Sequence, residues 1–115
     1  MRFFENRNKF CKLEFMGISE KEKEAIIQII GSTISGKLQI FLYGSRSRGK
    51  KSDGDIDILV LSETPVPYET IRKIKIRFSD LIPDAKLDIV VSTFSQKSAF
   101  VKLIEDTAIL LWERT

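Results

Sequence analysis

The tightest constraint in this chain is the run Asp55-Ile56-Asp57-Ile58-Leu59-Val60-Leu61, in which two carboxylates alternate with isoleucines. In an extended strand, residues two apart share a face. Asp55 and Asp57 therefore project together, while Ile56 and Ile58 enter a core on the other side. Upstream, the apolar run Leu38–Tyr43 breaks at Gly44-Ser45 into a basic loop containing Arg46, Arg48, Lys50 and Lys51. The order reads as strand, loop, strand. A carboxylate pair repels itself unless a cation lies between, and hard oxygen ligands beside a phosphate suit Mg²⁺ best. Gly44 lets the backbone approach an anion closely, and the Ser45 hydroxyl with the freed N–H groups can donate to it. Phosphate on one side and metal on the other imply phosphoryl chemistry. Asp53-Gly54-Asp55 offers a competing frame, but Gly54 would weaken a strand, whereas Ile56, Ile58 and Val60 continue a buried face from Asp55.

Composition narrows the alternatives. The 115 residues are expected to form one domain, with residues 1–17 as an arm of unassigned structure. Hydrophobic content of 43% and charged content of 30% are those of a globular domain. No apolar stretch approaches a membrane span, and MRFFENRNKF lacks the apolar segment of a secretory signal, so a cytoplasmic location is expected. With Cys11 the single cysteine and no histidine, intrachain disulfides, Cys/His zinc sites and His-based triads are excluded. Catalysis must rest on carboxylates, hydroxyls or metal. The net charge of +3 is modest, and its local concentration beside the loop points to an anion site, with no strong nucleic-acid signal.

Along the chain, four of the eight phenylalanines fall in the arm (Phe3, Phe4, Phe10, Phe15). Packing on the chain's own core, a patch for a partner and a homodimer contact all fit them. Ser19-x-x-Glu22 is a capping box, and the isoleucines after it predict a helix from about Glu20 to about Gly31. Pro65 and Pro67 end the second strand. Tyr68–Ile82 reads as a crossover helix with Ile71, Ile74, Phe78 and Leu81 on one face, although Ile74, Ile76 and Phe78 also alternate as a strand would. Lys86–Val91 is a third strand. Asp88, inside its apolar run, is costly unless paired or metal-bound and becomes a candidate third carboxylate. Ser92 or Ser95 is expected to cap a last helix, before an edge strand over Ala108–Trp112 in which Trp112 packs.

Gly44-Ser45, Asp55-x-Asp57 and Asp88 on a later strand together resemble the minimal nucleotidyltransferases of the DNA polymerase beta superfamily. The resemblance covers the central half of the chain. It implies an α+β nucleotidyltransferase fold: a mixed sheet of four or five strands, α/β-like in element order, with helices mainly on one face. It implies that Gly44 and Ser45 hold a nucleoside triphosphate such as ATP, and that Asp55, Asp57 and Asp88 are catalytic and bind metal. That metal is Mg²⁺ in a two-metal site, with Mn²⁺ as a substitute. Arg46 and Arg48 are carried as nucleotide-binding candidates. Nine residues, 46–54, separate Ser45 from Asp55, about one fewer than in similar small proteins, a difference a surface loop absorbs. Members this short resemble the antitoxin half of two-gene modules whose other half is a helical HEPN protein encoded nearby. Some of those antitoxins are thought to transfer AMP onto a tyrosine of the toxin. A non-catalytic, nucleotide-binding antitoxin that acts by docking is the other reading the resemblance leaves open.

Overall fold

The computed structural model describes residues 17–44, 46 and 55–115. Strands β1 (Leu38–Tyr43), β2 (Asp55–Ser62), β3 (Lys86–Thr93) and β4 (Ile109–Arg114) form one sheet in the order β3-β2-β1-β4. Helices α1 (Glu20–Thr33), α2 (Tyr68–Leu81) and α3 (Ala99–Thr107) flank it. β1 is antiparallel to both β2 and β4, and β2 is parallel to β3. The parallel pair requires a crossover, which α2 supplies. The expected mixed α+β sheet is thus present, with four strands among the described residues.

The sheet's two faces have different cover. Leu38, Ile40 and Leu42 of β1 join Ile56, Ile58 and Val60 of β2 beneath α1 and α2, with Ile26, Ile30, Ile74 and Phe78 from the helices. Each such side chain taken fully out of water contributes roughly 1.5–3 kcal/mol. On the opposite face Phe41, Leu59, Leu61 and Val101 form a smaller cluster under α3. Two of the three described helices therefore share one face, and that larger core fixes which way every residue of β1 and β2 points.

The helix ends follow local chemistry, with shifts from the expectations. Ser19 accepts from the Glu22 N–H while the Glu22 carboxylate accepts from the Ser19 N–H, completing the capping box. The first helix continues past Gly31 to Thr33. Its carbonyl end is met by Arg114, whose guanidinium donates to the carbonyls of Gly31, Ile34 and Gly36. Tyr68–Leu81 is helical, which resolves the period ambiguity in favour of the longer pattern. Leu81, expected inside, is half exposed, because the helix ends there and the next residue, Ile82, turns into the core instead. The last helix is capped by Ser98, not Ser92 or Ser95: its hydroxyl accepts from the Val101 N–H, whereas the Ser92 hydroxyl donates to the Gln96 carbonyl in the preceding turn. The closing strand runs from Ile109 to Arg114 because Ala108 serves as the helix C-cap. Trp112 packs on the larger core beside Gly31, as expected of a packing residue. The arm's phenylalanines, Cys11, Ser45 and Arg48 lie outside the described residues.

Candidate active site

Strand alternation carries the site. With Ile56, Ile58 and Val60 wholly buried beneath α1 and α2, Asp55 and Asp57 must project from the other face of β2. The parallel register sets Asp57 beside Asp88 and Asp55 beside Lys86, and directly paired residues share a face. The antiparallel register sets Tyr43 on the other flank of Asp57. A row Tyr43–Asp57–Asp88 thus crosses three strands at the end of the sheet where β1 leaves and β2 enters, with Asp55 one step nearer the mouth. Below the row, Phe41 and Leu59 lie in the apolar cluster under α3, so the polar residues sit on the same face just beyond that cluster.

The carboxylates are close enough to perturb one another. Asp88 is raised above the ordinary carboxylate range, first by its hydrogen bond to Asp55, then by burial and by the Asp55 charge, while Lys75 and Lys86 pull it down. Asp57 is raised by burial and by the charges of Asp88 and Asp55, against the opposing pull of Arg46. Burial and the same two neighbours, Asp57 and Asp88, push the Tyr43 phenol up as well. Mutual repulsion in a partly desolvated cluster is the signature of groups arranged for something other than stability.

The turn after β1 is built against this cluster. Gly44 has φ +80°, in the left-handed region, and a Cβ there would run into the Asp57 carboxylate. Glycine is thus required both by the backbone angle and by the closeness of the turn to Asp57. Arg46 is only 4% exposed. Its guanidinium donates to the Gly17 carbonyl at 2.8 Å and meets Glu22 at 3.4 Å, and its own carbonyl accepts from the Gly17 N–H. Arg46 therefore fastens the turn to the start of α1, and its charge reaches the site through Asp57.

Of the residues singled out in the sequence, Asp55, Asp57, Asp88, Gly44 and Arg46 are brought together. Tyr43 and Lys86 were not anticipated. Alternation from Phe41 gives the facing of Tyr43, but only the pairing register sets it beside Asp57. As donors, the three aspartates offer the all-oxygen set that a hard divalent cation takes, and their mutual repulsion is what such a cation relieves. Among the described residues no three acidic, cysteine or histidine side chains are already gathered around a common point.

The family model of polymerase beta nucleotidyltransferases matches residues 24–115, a span containing every one of these groups. The chain belongs to that family. As a nucleotidyltransferase domain it is similar to several solved structures. One is the MNT antitoxin complex with a tri-AMPylated HEPN toxin of Shewanella oneidensis, at 22% identity and TM-score 0.60, covering 79% of this chain and 69% of that one. A toxin–antitoxin structure with AMP-PNP aligns at 24% identity and TM-score 0.65, covering 78% and 72%. The MntA–HepT complex aligns at 20% identity and TM-score 0.62, covering 82% and 72%. At these identities the likeness is one of fold. None of the curated proteins compared matches this nucleotidyltransferase domain.

Proposed function

We propose that this nucleotidyltransferase moves a nucleotidyl group, AMP from ATP first among candidates, onto a hydroxyl of a partner protein, and that it serves as the antitoxin of a toxin–antitoxin pair. The observation that carries the chemistry is the placement of three aspartates on one face of two neighbouring strands, beside a left-handed glycine turn. The partner reading draws on the similar structures, which are complexes of an antitoxin with its toxin, one of them bearing AMP.

In this reading Asp55, Asp57 and Asp88 hold Mg²⁺, or Mn²⁺ in its place. Bound there, the metal neutralises triphosphate charge and acidifies the acceptor hydroxyl. The rest falls to the chain. Backbone N–H groups of the turn at Gly44, with the Ser45 hydroxyl and the Arg48 guanidinium, hold the distal phosphates, and Arg46 keeps the turn in place from below. The acceptor oxygen attacks the α-phosphorus, the bond from that phosphorus to the oxygen bridging the β-phosphate breaks, and pyrophosphate leaves. The hydroxyl proton passes to a carboxylate, and Asp88, whose proton affinity is raised, receives it in its ionised form. Positioning and charge neutralisation supply most of the acceleration in such an in-line displacement, so no histidine is needed.

The test is incubation with α-labelled ATP, Mg²⁺ and the HEPN-type protein encoded nearby. The expected result is pyrophosphate release and a mass increase of one AMP per modified residue, both abolished by Asp57→Asn. An equally active Asp55→Asn/Asp57→Asn double variant would overturn the chemistry. If that variant is inactive in transfer yet neutralises the toxin as well as wild type does, neutralisation proceeds by docking, and the antitoxin role does not depend on transfer.

A further inference from the structure

Tyr43 stands at the border between the two parts of this sheet face. Its ring packs on the apolar cluster of Phe41, Leu59 and Val101, and it is directly paired with Asp57 across the β1–β2 ladder. Residues so paired hold their side chains about 5 Å apart at Cβ on one face, which brings the phenol to the carboxylate row. The next residue is Gly44, where the turn begins. Among the described residues no side-chain hydrogen bond engages the Tyr43 hydroxyl, and its oxygen is not shut away from solvent, so it can meet a ligand that enters the site. A tyrosine phenol is protonated at neutral pH, so the hydroxyl is a donor. A donor set in a row of acidic groups and left without a protein acceptor is complementary to an anionic ligand.

We propose that the Tyr43 hydroxyl donates a hydrogen bond to a phosphate oxygen of the nucleotide bound at the Gly44 turn, making Tyr43 a ligand-contacting residue of the site. The inference rests on the nucleotide-site reading above and adds to it a residue that no motif marks. Tyr43 also closes the apolar side of the site, so the ring and the hydroxyl have separable roles: the ring seals, the hydroxyl binds.

The chain has only two tyrosines, which gives the experiment an internal control. Tyr68 is 73% exposed at the start of α2, and α2 packs on the opposite face of the sheet. Protein labelled throughout with 3-fluorotyrosine is titrated with α,β-methylene-ATP, which cannot undergo transfer, in the presence of Mg²⁺. The Tyr43 fluorine resonance is expected to move with saturation, beyond any shift that Mg²⁺ alone produces, while that of Tyr68 stays in place throughout. Tyr43→Phe keeps the ring, and its affinity for the analogue should fall about tenfold, the usual consequence of losing one hydrogen bond to a charged group. A Tyr43→Phe protein that binds the analogue as tightly as wild type overturns the inference, as does a Tyr43 resonance unmoved while the analogue raises Tm. If Tyr43→Phe does not fold, the fluorine titration of the wild type decides alone. Wild-type protein that fails to bind the analogue by either readout overturns the nucleotide-site reading itself, and this inference with it.

Discussion

At the scale of single residues, the carboxylates are a source of instability held in place by the sheet. Asp57 and Asp88 are both raised above their unfolded values, so the folded state holds its protons to higher pH than the unfolded chain does. Such groups stabilise most below the unfolded pKa of about 4, and that contribution is lost as pH rises through the folded values. In metal-free protein, stability should therefore fall from about pH 4 upward. Replacing Asp88 removes both a raised group and one of the charges acting on Asp57. Asp88→Asn is expected to raise Tm at neutral pH without metal and to flatten the pH dependence, while nucleotidyl transfer drops about 10²–10³-fold. Urea denaturation between pH 4.5 and 8 in EDTA reads the first effect and pyrophosphate release the second. A variant less stable than wild type throughout that range would show that Asp88 serves the fold instead.

At the scale of elements, the two ends of α1 are held by unlike means. Its amino end is closed locally by Ser19 and Glu22, and Glu22 also meets Arg46, so the same cap secures the turn after β1. Its carboxyl end has no basic residue of its own in the last turn, and Arg114 from β4 supplies the charge and the donors. Cationic groups at a helix carboxyl end complement its dipole, and several carbonyls would otherwise lose these donors. Arg114→Ala is expected to cost about 1–3 kcal/mol and to speed amide exchange in the last turn of α1. Arg114 is paired with Leu38, at the far end of β1 from Tyr43. Binding of α,β-methylene-ATP should therefore stay within about twofold of wild type at temperatures where the variant is folded. A changed affinity with unchanged stability would contradict this division of labour.

At the scale of the molecule, the asymmetry of the sheet's cover organises everything else. Among the described residues, two longer helices cover one face, whereas the nine-residue α3 covers the part of the other around Phe41, Leu59 and Leu61, and the acidic row lies beyond that cluster. A ligand seated there binds only the folded form, so it must raise stability by mass action. At a hundredfold excess over its Kd, α,β-methylene-ATP with Mg²⁺ should add about 2.7 kcal/mol, roughly 10 °C in Tm for a domain of this size. Differential scanning fluorimetry with analogue, with Mg²⁺ alone and with both measures this. Equal shifts from Mg²⁺ alone and from the pair would mean that the aspartates bind cation without a nucleotide above it.

What the sequence determined is whatever depends on side-chain direction along one segment. Alternation made β1, β2 and β3 legible and set Asp55 and Asp57 on one face; the capping box placed the start of α1; and length decided Tyr68–Leu81 as helix. Those signals reach only a few residues along the chain. Whether Asp88 lies beside Asp57 or a residue away depends on the β2–β3 register, which the packing of Ile56, Ile58 and Leu87 against distant helices fixes. For the same reason Tyr43 was silent until the β1–β2 ladder set it opposite Asp57. Arg46 reads in sequence as a free cation, yet folding inserts it under the turn against Gly17 and Glu22. Arg114 likewise gives no local sign that it closes a helix some 80 residues earlier in the chain, and Ser98 outcompetes nearby serines because the turn before it uses Ser92. Each of these is a contact between groups remote in sequence, and only the burial of a shared core brings such groups together.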